Sequence, residues 1–177
     1  MKRHSYLFAA FAIGKWTQKT CSQMLCDFSN RVMSPEDGRK VEVFTDGNDD
    51  YVYALPVYFP VENLSYGQLV KIRDERGRLI GKEKRIVYGD PEVEDIETIN
   101  VENFNGILRE RLGRLVRRTK CISKKKPRLH CAISFFQFYW NFISQIKRHR
   151  TPAMIEGLSN HTWTWHEFFY SELNHLN

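Results

Sequence analysis

The sequence predicts an α/β fold, and three patterns carry that prediction. Val41-Glu42-Val43-Phe44-Thr45 alternates like a strand and stops at Asp46-Gly47. Two longer strand-like runs, 66–73 and 79–88, flank Asp74-Glu75-Arg76-Gly77-Arg78, a turn in which Gly77 supplies positive φ. Val101, Phe104, Leu108, Leu112 and Leu115 then fall on one side of a helix at about 100° per residue.

The totals set the frame. With 177 residues, 42% hydrophobic and 14% aromatic, the chain can bury a core and is not of a disordered type. The net charge of +6 favours an anionic partner, and it is equally the charge of a protein with a merely basic surface. Cys21, Cys26, Cys121 and Cys131 form no C-x-x-C pair and have no histidine at zinc-finger spacing. They read as reduced, mostly buried thiols of a cytosolic protein. The longest apolar run, 6–14, is too short to span a membrane. It lacks a cleavage site and is interrupted by Lys15-Trp16, so it reads as a buried strand and not as a signal peptide.

Taken in order, 6–17 is expected to be a strand, and 20–29 a second strand paired with it. Ser34-Pro35-Glu36-Asp37-Gly38 is a turn. After the 41–45 strand, Asp46-Gly47-Asn48-Asp49-Asp50 opens toward a helix or turn near 51–55, and 56–60 is loop. Lys71, Arg73, Lys82, Lys84 and Arg85 make the 66–88 hairpin basic. Residues 92–97 are acidic and exposed. A long helix runs from Asn100, its N-cap, to about Thr119. A basic connector, 121–128, leads to an aromatic helix over 129–146 with Ile133, Phe136, Trp140 and Ile143 in the core. Thr151-Pro152 is a turn. Thr164 and Glu167 form a capping box, with Trp163 and Phe168 as its hydrophobic staple.

The candidate chemistry rests on two carboxylates. Asp46 ends a strand, at the edge where α/β sheets gather ligands; alternatively it is an Asp-Gly turn residue. Glu102 sits in the first turn of a basic helix; alternatively it only complements the helix dipole. Together they could share Mg²⁺, and two such ions can drive an in-line displacement at phosphorus. Asp49 and Asp50 are possible extra ligands or simply solvated. Asn105 and Arg109, one and two turns after Glu102, could fix a phosphate; Arg109 could equally form a surface salt bridge. Arg111, Arg114, Arg117, Arg118, Lys120, Lys124, Lys125 and Lys126 could line a DNA groove or form a solvated basic face. The histidines are scattered, with no ligand spacing.

The segments Val43-Phe44-Thr45-Asp46-Gly47-Asn48-Asp49-Asp50-Tyr51 and Val101-Glu102-Asn103-Phe104-Asn105-Gly106-Ile107-Leu108-Arg109 resemble the DDE transposases of bacterial and archaeal insertion sequences, of the insertion-sequence-one type. The basic stretch 114–124 and the motifs Thr151-Pro152-Ala153-Met154-Ile155-Glu156-Gly157-Leu158 and Trp163-Thr164-Trp165 are similar to that family too. The resemblance implies a ribonuclease-H-like, integrase-like core followed by C-terminal helices. It also implies an Asp-Asp-Glu triad with two Mg²⁺ ions, and cleavage and strand transfer at terminal inverted repeats of double-stranded DNA. Asp46 would be the second aspartate and Glu102 the glutamate, with Asn105 and Arg109 as companions. Only 1–5 precede the first expected strand, which leaves no room for the family's first strand and aspartate. The expectation is therefore a partial core over 1–146 and a helical tail over 147–177. Such a chain would bind DNA in the prokaryotic cytoplasm at the nucleoid, could form a homo-oligomer, and would be catalytically incomplete. A non-catalytic basic DNA-binding fragment is the alternative.

Overall fold

The strand predicted at 41–45 is β1, Val41–Asp46, and the hairpin is β2, Leu64–Arg73, with β3, Leu79–Tyr88. They form one sheet in the order β1-β2-β3. β1 runs parallel to β2, with Val41 opposite Leu64 and Asp46 opposite Leu69. β3 returns antiparallel, with Lys71 opposite Lys82. The computed structural model describes residues 1–32, 38–116 and 123–171, so the turn expected at 34–38 lies almost wholly outside the described residues. The chain is thus a mixed α/β protein. It divides into two units, 10–103 and 1–9 with 104–177.

In the first unit, the segment expected to be a second strand is a helix, α1, Gln18–Ser29. Cys21 and Leu25 are buried, and Phe28 packs beside them. That i, i+4, i+7 spacing defines one helical face, which a strand cannot offer. The Thr17 side chain accepts from the Thr20 N–H and caps the start. α2 is Asp50–Tyr58 and continues through Pro56, where a loop was expected. Pro56 has no N–H to give to the Val52 carbonyl. The Tyr88 hydroxyl from β3 donates to that carbonyl instead, at 3.0 Å.

Strand alternation sends Val41, Val43, Leu64 and Tyr66 to one face of the sheet. There they join Cys21, Leu25, Ala54, Leu55 and Phe59 in the core. The opposite face receives Ile96, fully buried despite its acidic neighbours. Gly67 makes room for it: a Cβ there would come within 2.7 Å of the Ile96 side chain.

The helix expected from Asn100 to Thr119 is α3, Ile99–Arg111. It starts earlier, with the Glu102 N–H donating to the Thr98 carbonyl, and it stops earlier. Leu112 is extended (φ −110°, ψ 92°), and a 3-10 turn over Gly113–Leu115 follows. Glycine is a poor residue to carry a helix onward. Of the predicted apolar stripe only Phe104 is fully buried, and Val101 is 37% exposed.

In the second unit, residues 6–9 are not the strand the apolar run suggested. Tyr6 N–H and the Leu7 carbonyl pair with the Lys2 backbone, and further backbone bonds go to side chains. Phe8 N–H donates to Asn141 Oδ1 at 2.8 Å, and its carbonyl accepts from Asn141 Nδ2 and Gln137 Nε2. Trp140 Nε1 donates to the Tyr6 carbonyl. Two amides and an indole therefore replace the neighbouring strands. The expected 129–146 helix is α4, Lys126–Phe138, and it widens into a π-turn, Tyr139–Ile143, that brings Trp140 and Asn141 inward. Ile133, Phe136 and Trp140 are core as expected, and Phe104 packs edge-on against both Phe8 and Trp140.

Thr151 is no simple turn residue. It is fully buried, and its side chain caps α5, Pro152–Ile155. The capping box is present: Thr164 N–H donates to Glu167 Oε2 at 2.7 Å, and Glu167 N–H donates to Thr164 Oγ1 at 3.2 Å. It starts α6, Trp165–Ser171, with Trp163 and Phe168 both packed on Phe138. Among the described cysteines Cys21 is buried, whereas Cys26 and Cys131 are exposed, contrary to expectation; all three are free thiols. No helix of the described residues is long and apolar enough to cross a membrane.

Candidate functional site: a carboxylate–lysine sheet face

Asp46 is exposed at the carboxyl end of β1, opposite Leu69. Its side chain therefore shares a sheet face with Gly67, Leu69 and Lys71. On β3, Lys82 and Lys84 lie opposite Lys71 and Leu69 and join the same face. Glu102 reaches that face from the first turn of α3. Its Oε1 accepts from Lys71 Nζ at 2.6 Å and from the Thr98 hydroxyl at 3.4 Å. From strand spacings, the Cα atoms of Asp46 and Lys71 are roughly 8 Å apart.

The electrostatics follow from this placement. Lys71 and Lys82 are like charges directly across a ladder, which repel. Glu102 is their counter-ion. The hydrogen bond from Lys71 holds the Glu102 carboxyl below its usual range, with the charges of Lys71 and Lys82 adding to the effect. Lys84 is anchored to the Glu94 carbonyl at 3.0 Å. On the other face, burial raises the Tyr66 phenol to about 12, and its Oη pairs with Thr45 Oγ1 at 2.8 Å.

Beside Asp46 opens a cleft of about 390 Å³, lined by Trp16, Asp46, Asn48, Asp50, Lys71 and Arg73, with Gly47 and Val70 behind. Asp50 thus joins Asp46 at one opening. Asn48 braces the loop, its side chain accepting from the Asp50 N–H and its carbonyl from Gln68 Nε2.

The two-Mg²⁺ site that the sequence suggested would need oxygen donors beyond Asp46 and Glu102. Magnesium takes hard oxygen ligands in near-octahedral geometry. Here the Glu102 carboxylate is engaged by an ammonium group. Among the described residues no group of three His, Cys, Asp or Glu side chains gathers to hold a metal.

Asn105 and Arg109 lie farther along α3, in the second unit, and are half-buried. Arg111 ends that helix, and Arg114 donates to the Arg128 carbonyl at 3.2 Å. Lys124 and Lys125 are exposed, and Lys126 opens α4. Arg117, Arg118 and Lys120 lie outside the described residues. Sequence reasoning noted the basic hairpin but not the site on it. The period-2 spacing of Lys71 and Arg73, and of Lys82 and Lys84, was the available signal. In comparisons with known proteins, no family model, no curated protein and no solved structure matches the chain.

Proposed function

We propose that this chain is a DNA-binding protein of the transposase type, which holds duplex DNA through the lysine face of its sheet and does not cleave phosphodiesters by itself. The observation that carries the reading is the convergence of Lys71, Lys82 and Lys84 on one face, which they share with Asp46 and with Glu102, hydrogen-bonded to Lys71. Phosphate contacts from such lysines supply most sequence-independent affinity for DNA. The sheet is read as part of a ribonuclease-H-like core. Support comes from the parallel β1–α2–β2 unit with Asp46 at the carboxyl end of β1, and from Glu102 reaching the same face. That is the relation the family resemblance implies for its second aspartate and its glutamate. Mg²⁺-dependent strand transfer needs donors beyond those gathered here. By the same resemblance, the duplex partner is an element's terminal inverted repeat together with its target, and assembly is as a homo-oligomer at the nucleoid.

The test is fluorescence anisotropy with a labelled repeat-containing duplex, titrated from about 50 to 200 mM salt, with Mg²⁺ present. The expected result is binding whose log K falls with log salt at a slope of about −2, for Lys82 and Lys84 on phosphates while Glu102 holds Lys71, with the DNA left intact. Absence of binding at the lowest salt would defeat the proposal.

A further inference from the structure

Apart from Lys71, the cleft beside Asp46 is lined by residues that duplex binding does not use. Trp16 at its mouth is 88% exposed, a costly placement for an indole and far above the 41% of Trp165 and the 9% of Trp140. Lys15 and Lys19, both exposed, flank Trp16 in the chain, and Arg73 lines the same opening. Asp46, Asn48 and Asp50 line it as well, and both carboxylates are acceptors only. Such an arrangement repels phosphate from the carboxylates and draws it toward the cations. It suits a flat, neutral ring whose edge offers N–H donors. The volume of about 390 Å³ lies at the small end of ligand pockets.

We propose that this cleft takes one unpaired nucleotide of a DNA strand, with the base stacked on Trp16, an N–H donor of its edge toward Asp46 and Asp50, and the flanking phosphates on Lys15, Lys19 and Arg73. The assignment deepens the DNA-binding reading and rests on it. A base within a duplex is stacked on both faces and paired along its edge, so only an unpaired base can enter. Stacking on an aromatic side chain is tolerant of sequence, so the site distinguishes single from double strands and not one sequence from another.

The experiment measures anisotropy of a labelled single strand, the same strand with abasic positions, and the matching duplex, against the full chain and its Trp16→Phe and Trp16→Ala variants. Trp16 is so exposed that neither variant removes core packing. Trp16→Ala is expected to weaken single-strand binding about fivefold to 100-fold and to leave duplex binding unchanged. Trp16→Phe is expected to keep most of the affinity. The abasic strand should bind the natural chain as weakly as the intact strand binds Trp16→Ala. If Trp16→Ala binds the single strand as the natural chain does, the nucleotide site is overturned while the DNA-binding reading stands. If the natural chain binds neither strand form, both fall.

Discussion

Lys71 Nζ lies 2.6 Å from Glu102 Oε1, and Lys71 stands directly across the β2–β3 ladder from Lys82. The glutamate that the sequence marks as a metal ligand is therefore the charge that lets two lysines share a face. In this structure it is placed as a counter-ion to Lys71.

The first consequence is a pH dependence. The Glu102 carboxyl, ordinarily near 4.5, is lowered by Lys71. A carboxyl whose folded pKa is depressed adds stability that is complete above the ordinary value. That contribution shrinks as pH falls through the folded value and is gone below it. Both partners are part-exposed, so it is worth about 0.2–1 kcal/mol. Melting temperatures of the natural chain and Glu102→Gln should differ at neutral pH and converge in acid. A gap that persists in acid would contradict this account.

Asn141 takes the place of a neighbouring strand for Phe8 by offering both an acceptor and a donor. Asn141→Leu keeps the bulk and removes both bonds. Urea unfolding is expected to show a loss of about 1–3 kcal/mol, because the Phe8 N–H loses this acceptor while its carbonyl keeps Gln137 Nε2. A loss below about 1 kcal/mol would mean that the N–H pairs elsewhere.

Pro56 and Tyr88 are coupled through the Val52 carbonyl. Tyr88→Phe should cost about 1–2 kcal/mol, because that carbonyl loses its donor. In a Pro56→Ala background the helix supplies its own N–H, and the same substitution should cost much less. A double-mutant cycle measures the difference; strict additivity would refute the coupling.

Burial, aided by the charge of Asp50, raises the Cys21 thiol to about 11 from an ordinary 9.0. The thiolate fraction at pH 8 is then about 100-fold lower than for an unperturbed thiol. Peptide-resolved iodoacetamide labelling should find Cys21 alkylated far more slowly than exposed Cys26. Equal rates would place the α1 face in solvent.

What was legible in the sequence was local. β1 and the hairpin follow from period-2 alternation and from Gly77 in the turn, and the Thr164–Glu167 box follows from a four-residue signature. The aromatic core of α4 was readable from Ile133, Phe136 and Trp140. α1 was missed because the helical spacing of Cys21, Leu25 and Phe28 is blurred by two further apolar residues, Met24 and Cys26. The Phe8 segment was misread because its partners, Gln137 and Asn141, lie about 130 residues away, and side-chain amides leave no periodic trace. Asp46 and Glu102 were legible as candidates. Lys71 was not, because its meaning depends on a register that pairs it with Lys82 and on a helix that returns from beyond the sheet.

The most direct measurement compares Glu102→Gln with the natural chain on the same duplex, scoring affinity across salt and cleavage with Mg²⁺ present. The account predicts that the variant binds a few-fold more tightly, with a salt slope steeper by about 0.9 because Lys71 is released to phosphate, and that neither protein cuts. Mg²⁺-dependent cleavage by the natural chain that disappears in Glu102→Gln, with binding unchanged, would make Glu102 a metal ligand and contradict the account.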